Sequence, residues 1–167
     1  MEENRKLYIT RKWVLFILAY YTLLFFLGIY NSYNVLMVAD YSPDKSSLSI
    51  VGSMSMAISA SSIYYIRKLY KLCFVCDLSY EYSTEISFKK MGTIFYFLTR
   101  PFYAIIFSLL VVIGIKSGMI SAVKKIEFDS GFVYITMFLS FYVGFLSGNF
   151  IKILEEKGKK QLEKFFR

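Results

Sequence analysis

The sequence has no histidine, two cysteines and two prolines, and its 12 acidic residues are outnumbered by 20 Lys and Arg. Without an imidazole, most general acid/base and metal-ligating constellations are gone. Cys73 and Cys76, in CFVC, supply two thiols where a zinc site of this kind wants four ligands. They read as free thiols in a reducing compartment, with a metal shared between subunits as the alternative. No catalytic, cofactor-binding or metal-ligating set is expected, and the chain does not read as an enzyme. Charge is scarce at 19%, while 56% of the 167 residues are hydrophobic and 20% are aromatic. An ordinary globular domain is about 45–50% apolar and about 25% charged. The surplus is more than a compact core of this length can hide, and so many aromatic residues exclude intrinsic disorder.

The apolar residues fall into four runs long enough to cross hydrocarbon, which takes about 20 residues. The expected spans are 13–30, 48–66, 101–123 and 131–151, in a single membrane domain covering 1–167. The predicted fold is an all-α membrane protein with four transmembrane helices. A soluble bundle would need a polar stripe on each helix, and 13–30 has none. That run is also too long for a signal-peptide core, and no small-x-small cleavage site follows Tyr30, so it reads as a retained first span.

Lys and Arg in short loops stay on the cytoplasmic side of a membrane. Fifteen of the 20 cations lie in the N-terminal stretch, in the segment 67–92 or in 152–167, whereas the two opposite loops carry Lys45 and an acid-balanced Lys124 and Lys125. Both termini are therefore expected on the cytoplasmic side. The net charge of +8 is an orientation signal plus an attraction to anionic membrane lipid. No basic stripe interleaved with aromatics lies outside the spans, so direct nucleic-acid binding is not expected.

Span one is bulky and reads as lipid-facing. Span two is built from small residues, with Ser53, Ala57 and Ser61 recurring every fourth position on one face, and reads as the interior helix. Small residues let backbones approach, and seryl hydroxyls can bond across such a contact. Ser46 or Ser47 is the expected N-cap of this span. Gly114 and Gly118 in span three, and Gly144 and Gly148 in span four, form two G-x-x-x-G pairs suited to tight bundle packing or a homo-oligomer.

Arg100-Pro101 is expected to break span three at Thr99 and Arg100, leaving 91–98 along the inner interface. Arg100 then serves as an interfacial anchor; the alternative sets it, with Asn149, along a pore or constriction. No span carries Asp, Glu or His, which excludes proton-coupled transport and intramembrane hydrolysis. A passive pore lined by hydroxyls and Asn remains allowed.

Between spans two and three, 78–88 alternates strictly, with Tyr80, Tyr82, Ile86 and Phe88 on one side and Ser and Glu on the other. This predicts a short cytoplasmic β-like strand that pairs with a partner, or an interfacial amphiphilic segment. The tail 152–167, with Phe165 and Phe166, continues helix four into water as a surface or docking helix.

The whole plan resembles the four-span membrane protein of Kiwa-type bacterial anti-phage systems. The resemblance rests on both ends inside, Arg100-Pro101 opening span three, and the small-residue run 144–148 leading through Asn149 to Glu155. It implies a homo-oligomeric inner-membrane sensor that scaffolds a cytosolic, DNA-binding effector encoded beside it. A pore-forming effector and an accessory subunit of a larger membrane complex are the alternatives.

Overall fold

A computed structural model of the chain contains four α-helices: α1 (Arg11–Val38), α2 (Lys45–Val75), α3 (Thr84–Ala122) and α4 (Ser130–Phe165). The structure describes residues 10–75, 84–122 and 129–165. Each helix contains a stretch long and apolar enough to cross a membrane: Arg11–Val38, Lys45–Lys71, Lys90–Met119 and Ser130–Gly148. These four stretches support a multi-pass membrane protein.

The helix starts come from backbone donors finding acceptors. The N-cap of α2 is Asp44, not Ser46 or Ser47: its carboxylate accepts the Ser47 N–H at 3.1 Å, while its carbonyl accepts the Leu48 N–H. Carboxylates rank with serine as caps and add favourable charge at a helix N-terminus. Asp129 caps α4 in the same way, accepting the Phe132 N–H at 3.0 Å. Lys45 closes the 39–44 link by donating its ammonium to the Ala39 carbonyl at the end of α1.

Consecutive helices run antiparallel, and α2 is the hub, packing against α1, α3 and α4. Half of its membrane stretch is buried, against 17% for α1 and 22% for α3. Its mean hydropathy is also the lowest of the four, 1.2 against 2.0 for α1 and α3. Those values belong together, because a helix shielded from lipid by its neighbours can carry serine. As expected, α1 is largely exposed, but Ile17 and Tyr21 are wholly buried.

The close approaches are made by glycine and alanine. A methyl added at Gly144 would run into the Ala57 backbone, lying 2.7 Å from its Cα. One at Gly28 would lie 2.7 Å from the Ser55 carbonyl oxygen, and one at Gly52 would meet Met137 and Val35. The serines behave differently from expectation. Ser59 and Ser62 on α2, and Thr136 on α4, return their hydroxyls to carbonyls three or four residues back in their own helix. Ser53 and Ser61 are fully buried and their hydroxyls have no partner among the described residues. The span-two small residues therefore contribute closeness rather than interhelical bonds.

Two further expectations are corrected. Helix α3 is continuous through Thr99, Arg100 and Pro101, so 91–98 is part of the same helix and not a separate interfacial segment. The β-like strand gives way to helix at 84–88, the first turns of α3, where Phe88, Met91 and Phe95 form an exposed stripe at helical spacing. The remainder of that proposed strand, including Tyr80 and Tyr82, lies outside the described residues.

Candidate functional site

Proline inside a helix removes the N–H that would bond the carbonyl four residues back. For Pro101 that carbonyl belongs to Phe97, and the Tyr21 hydroxyl of α1 donates to it. This tertiary bond supplies the donor that the proline lacks, so α3 passes through Pro101 with its backbone acceptor satisfied.

The same bond anchors an aromatic cluster. Tyr21 stacks on Tyr65 of α2 with ring centroids 5.7 Å apart and planes at 17°, and Phe97 meets Tyr65 edge-on at 6.2 Å. Ile17 and Leu69 complete a core of five buried residues drawn from α1, α2 and α3. On α4, Phe145 meets Tyr64 edge-on, and Gly148 leaves room for the Tyr65 hydroxyl. The Tyr65 and Ser147 hydroxyls are buried, and neither has a hydrogen-bond partner among the described residues.

Two cations border this cluster and share one ring. Lys68 donates to the Tyr96 hydroxyl at 2.6 Å, with its ammonium 4.8 Å from the centre of the Tyr96 ring. The Arg100 guanidinium lies 4.0 Å from that same centre and 5.9 Å from the rings of Tyr65 and Tyr103. Helical side chains lean toward the N-terminus. Arg100 therefore reaches back one turn onto Tyr96, toward the end of the bundle where Arg11, Lys12, Arg67, Lys71 and Lys90 lie. A ring quadrupole stabilises each cation by roughly 0.5–2 kcal/mol, but it does not neutralise either charge.

Among the described residues, no carboxylate comes near. The three acids with described side chains, Asp40, Asp44 and Asp129, all sit at the opposite end of the bundle. Among the described residues, no group of three His, Cys, Asp or Glu could hold a metal ion. The cluster offers donors, positive charge and aromatic surface, which suit holding an anion or anchoring a helix.

The sequence-predicted residues divide cleanly. Ser53, Ala57, Ser61, Gly144 and Gly148 are consumed by packing within the chain. Gly114 and Gly118 face open space, with nothing within 4 Å of an added methyl. Lys116 donates to the Ser46 hydroxyl at 2.9 Å. Phe88 is 81% exposed. Ile86, Asn149 and Phe165 lie on helices, but their side chains are outside the described residues, as is Phe166 altogether. Tyr21, Lys68 and Tyr96 were missed as site residues. For Tyr21 and Tyr96 a signal was present: a mid-helix proline demands a donor for the carbonyl at 97, and Tyr96 with Arg100 is an i, i+4 aromatic–cation pair.

Comparisons with protein families, curated proteins and solved structures found no match to this chain.

Proposed function

We propose that the chain is a homo-oligomeric scaffold and sensor of the bacterial inner membrane. In this reading both termini are cytoplasmic, and the cation-rich end recruits a cytosolic effector. The observation that carries it is the unequal length of the two ends. At the cation-rich end, α3 begins at Thr84, ahead of Lys89 and Lys90, and α4 runs on through the charged stretch 152–164 to Phe165. The charged part of α4 alone adds roughly 21 Å of helix. At the other end α1 and α2 are joined through a short link. Helix that outruns the membrane on one side only is suited to docking, and the exposed Phe88, Met91 and Phe95 stripe offers an apolar contact there.

The open Gly114 and Gly118 face of α3, flanked by exposed Leu110 and Ile113, supports self-association, since it is the G-x-x-x-G pair that intrachain packing leaves unused. The role in anti-phage defence draws its support from the resemblance of plan. A passive pore through one subunit gains no support from the interior, where α4 meets the α2 backbone at Gly144 and Ala57.

The test is co-expression of the full chain with the soluble protein encoded beside it. The proposal expects the two to co-purify from solubilised membranes and to separate when Tyr80→Lys or Tyr82→Lys is introduced. A membrane-inserted chain that never retains that protein would overturn the scaffold reading.

A further inference from the structure

The donors around Tyr96 exceed the acceptors. Lys68 gives one N–H to the Tyr96 oxygen and keeps two more. The Tyr96 hydroxyl accepts from Lys68 and donates to nothing among the described residues. Arg100 lies over the Tyr96 ring and within 6 Å of the centres of the Tyr65 and Tyr103 rings, and its five N–H groups meet no described carboxylate. Both cations lie within 5 Å of one ring centre, so they are no more than about 9 Å apart, close to one Debye length at physiological salt. Two half-buried like charges at that separation repel each other, and burial removes the water that would otherwise screen them. A cluster of this kind calls for an anion, and the described part of the chain provides none.

Position narrows the choice of anion. Lys68 shares the last charged turns of α2 with Arg67 and Lys71, and Tyr96 lies about 9 Å along α3 from Lys90. That is the layer where aromatic rings and lipid headgroups meet. A planar guanidinium, an ammonium and a phenolic hydroxyl converging there match the oxygens of a phosphate group, which accept charge-assisted bonds from each.

We infer that Lys68, Arg100 and the Tyr96 hydroxyl form a binding site for a phosphate group, contributed by the headgroup of an anionic phospholipid in the leaflet at the cation-rich end of the bundle. The lipid phosphate supplies a countercharge that the described residues do not and ties α2 to α3 at the level of Pro101. This holds whatever cytosolic protein the scaffold recruits.

The experiment uses the full chain in neutral detergent and titrates phosphatidylglycerol, phosphatidylcholine or inorganic phosphate at matched ionic strength, reading lipid bound by native mass spectrometry and the shift in unfolding temperature. Phosphatidylglycerol is expected to bind about tenfold or more tightly than phosphatidylcholine. The Lys68→Gln/Arg100→Gln variant should lose that preference, and the Arg67→Gln/Lys71→Gln variant, which removes the same charge from exposed positions, should keep it. Equal binding of the two lipids by the wild-type chain overturns the proposal. So does an equal loss in both double variants, which would mean diffuse surface attraction. If inorganic phosphate stabilises the chain and phosphatidylglycerol does not, the lipid source is overturned and the phosphate chemistry stands. Tyr96→Phe, which removes a single hydroxyl, covers the case in which the double variant does not fold: a weakened lipid preference supports the site, and an unchanged one contradicts it.

Discussion

The two ends of this bundle solve the same problem, holding four helices together, with different chemistry. At the cation-rich end the core is aromatic, built on Ile17, Tyr21, Tyr65, Leu69 and Phe97, and bordered by Lys68 and Arg100. At the other end it is small and aliphatic, built on Val35, Ala39, Val133 and Met137. There the polar work falls to carboxylates: Asp44 and Asp129 cap α2 and α4, and Asp40 accepts from the Tyr134 hydroxyl at 3.0 Å. Between them, contact is made by Gly28 and Gly144, and the buried hydroxyls of Ser53, Ser59, Ser61 and Ser62 bond within their own helix or have no partner among the described residues. In lipid there is no hydrophobic force between helices. Close backbone packing can therefore set the middle, while specific bonds set each end. Among the described residues, the aromatic end carries cations with no carboxylate beside them, and the other end holds all three acids.

The contrast can be broken at several points, the largest being the aromatic core. Tyr65→Ala removes a fully buried ring and should cost about 3–5 kcal/mol of stability. Tyr134→Ala at the other end should cost about 0.6 kcal/mol, the mean worth of a polar bond between membrane helices. Thermal unfolding in detergent compares them, and similar losses would abolish the distinction. Tyr21→Phe should cost about 1–3 kcal/mol, because it leaves the buried Phe97 carbonyl without a donor. In a Pro101→Ala background, which restores the backbone N–H, the same change should cost at least about 0.5 kcal/mol less, a coupling that a double-mutant cycle reads directly.

At the carboxylate end, Asp129→Ala should cost about 1 kcal/mol through its lost cap. Asp44 adds a pH signature. The Ser47 hydroxyl and N–H hold its carboxyl below the ordinary aspartate value of 3.8. A lowered folded-state value means that its contribution is fully present above 3.8 and is lost as pH falls through the lower folded value. The difference in unfolding temperature between wild type and Asp44→Ala should therefore be constant near neutrality and shrink in acid. Smallest of all, Gly114→Ala should leave the unfolding of the isolated chain within about 0.5 kcal/mol of wild type, since its site is open. Cross-linking in membranes should nevertheless fall if that face joins subunits.

Much of the fold was legible because hydrocarbon makes simple demands on length and composition. Four charge-poor runs became four helices, and the small residues of span two correctly marked the hub. What escaped depended on partners distant in sequence. The break at Pro101 followed from local rules about proline, and a hydroxyl 76 residues from Phe97 overrode it. The alternation of 78–88 ran into the helical stripe of Phe88, Met91 and Phe95, which dominates from Thr84 onward. The two G-x-x-x-G pairs looked alike in sequence, and only packing separated the occupied Gly144 and Gly148 from the open Gly114 and Gly118. Lys68 was counted as one more orientation charge because nothing near it in the chain reveals Tyr96.

The central claim is that the aromatic, cation-rich end faces the cytoplasm and the carboxylate-capped end faces out. Single cysteines introduced by Tyr41→Cys in the short link and by Lys71→Cys at the cation-rich end, each in a Cys73→Ser/Cys76→Ser background, test it with a membrane-impermeant maleimide. The account predicts labelling of the position 41 thiol on intact spheroplasts, and of the position 71 thiol only after the membrane is permeabilised. The reverse pattern, or labelling of both before permeabilisation, would contradict it.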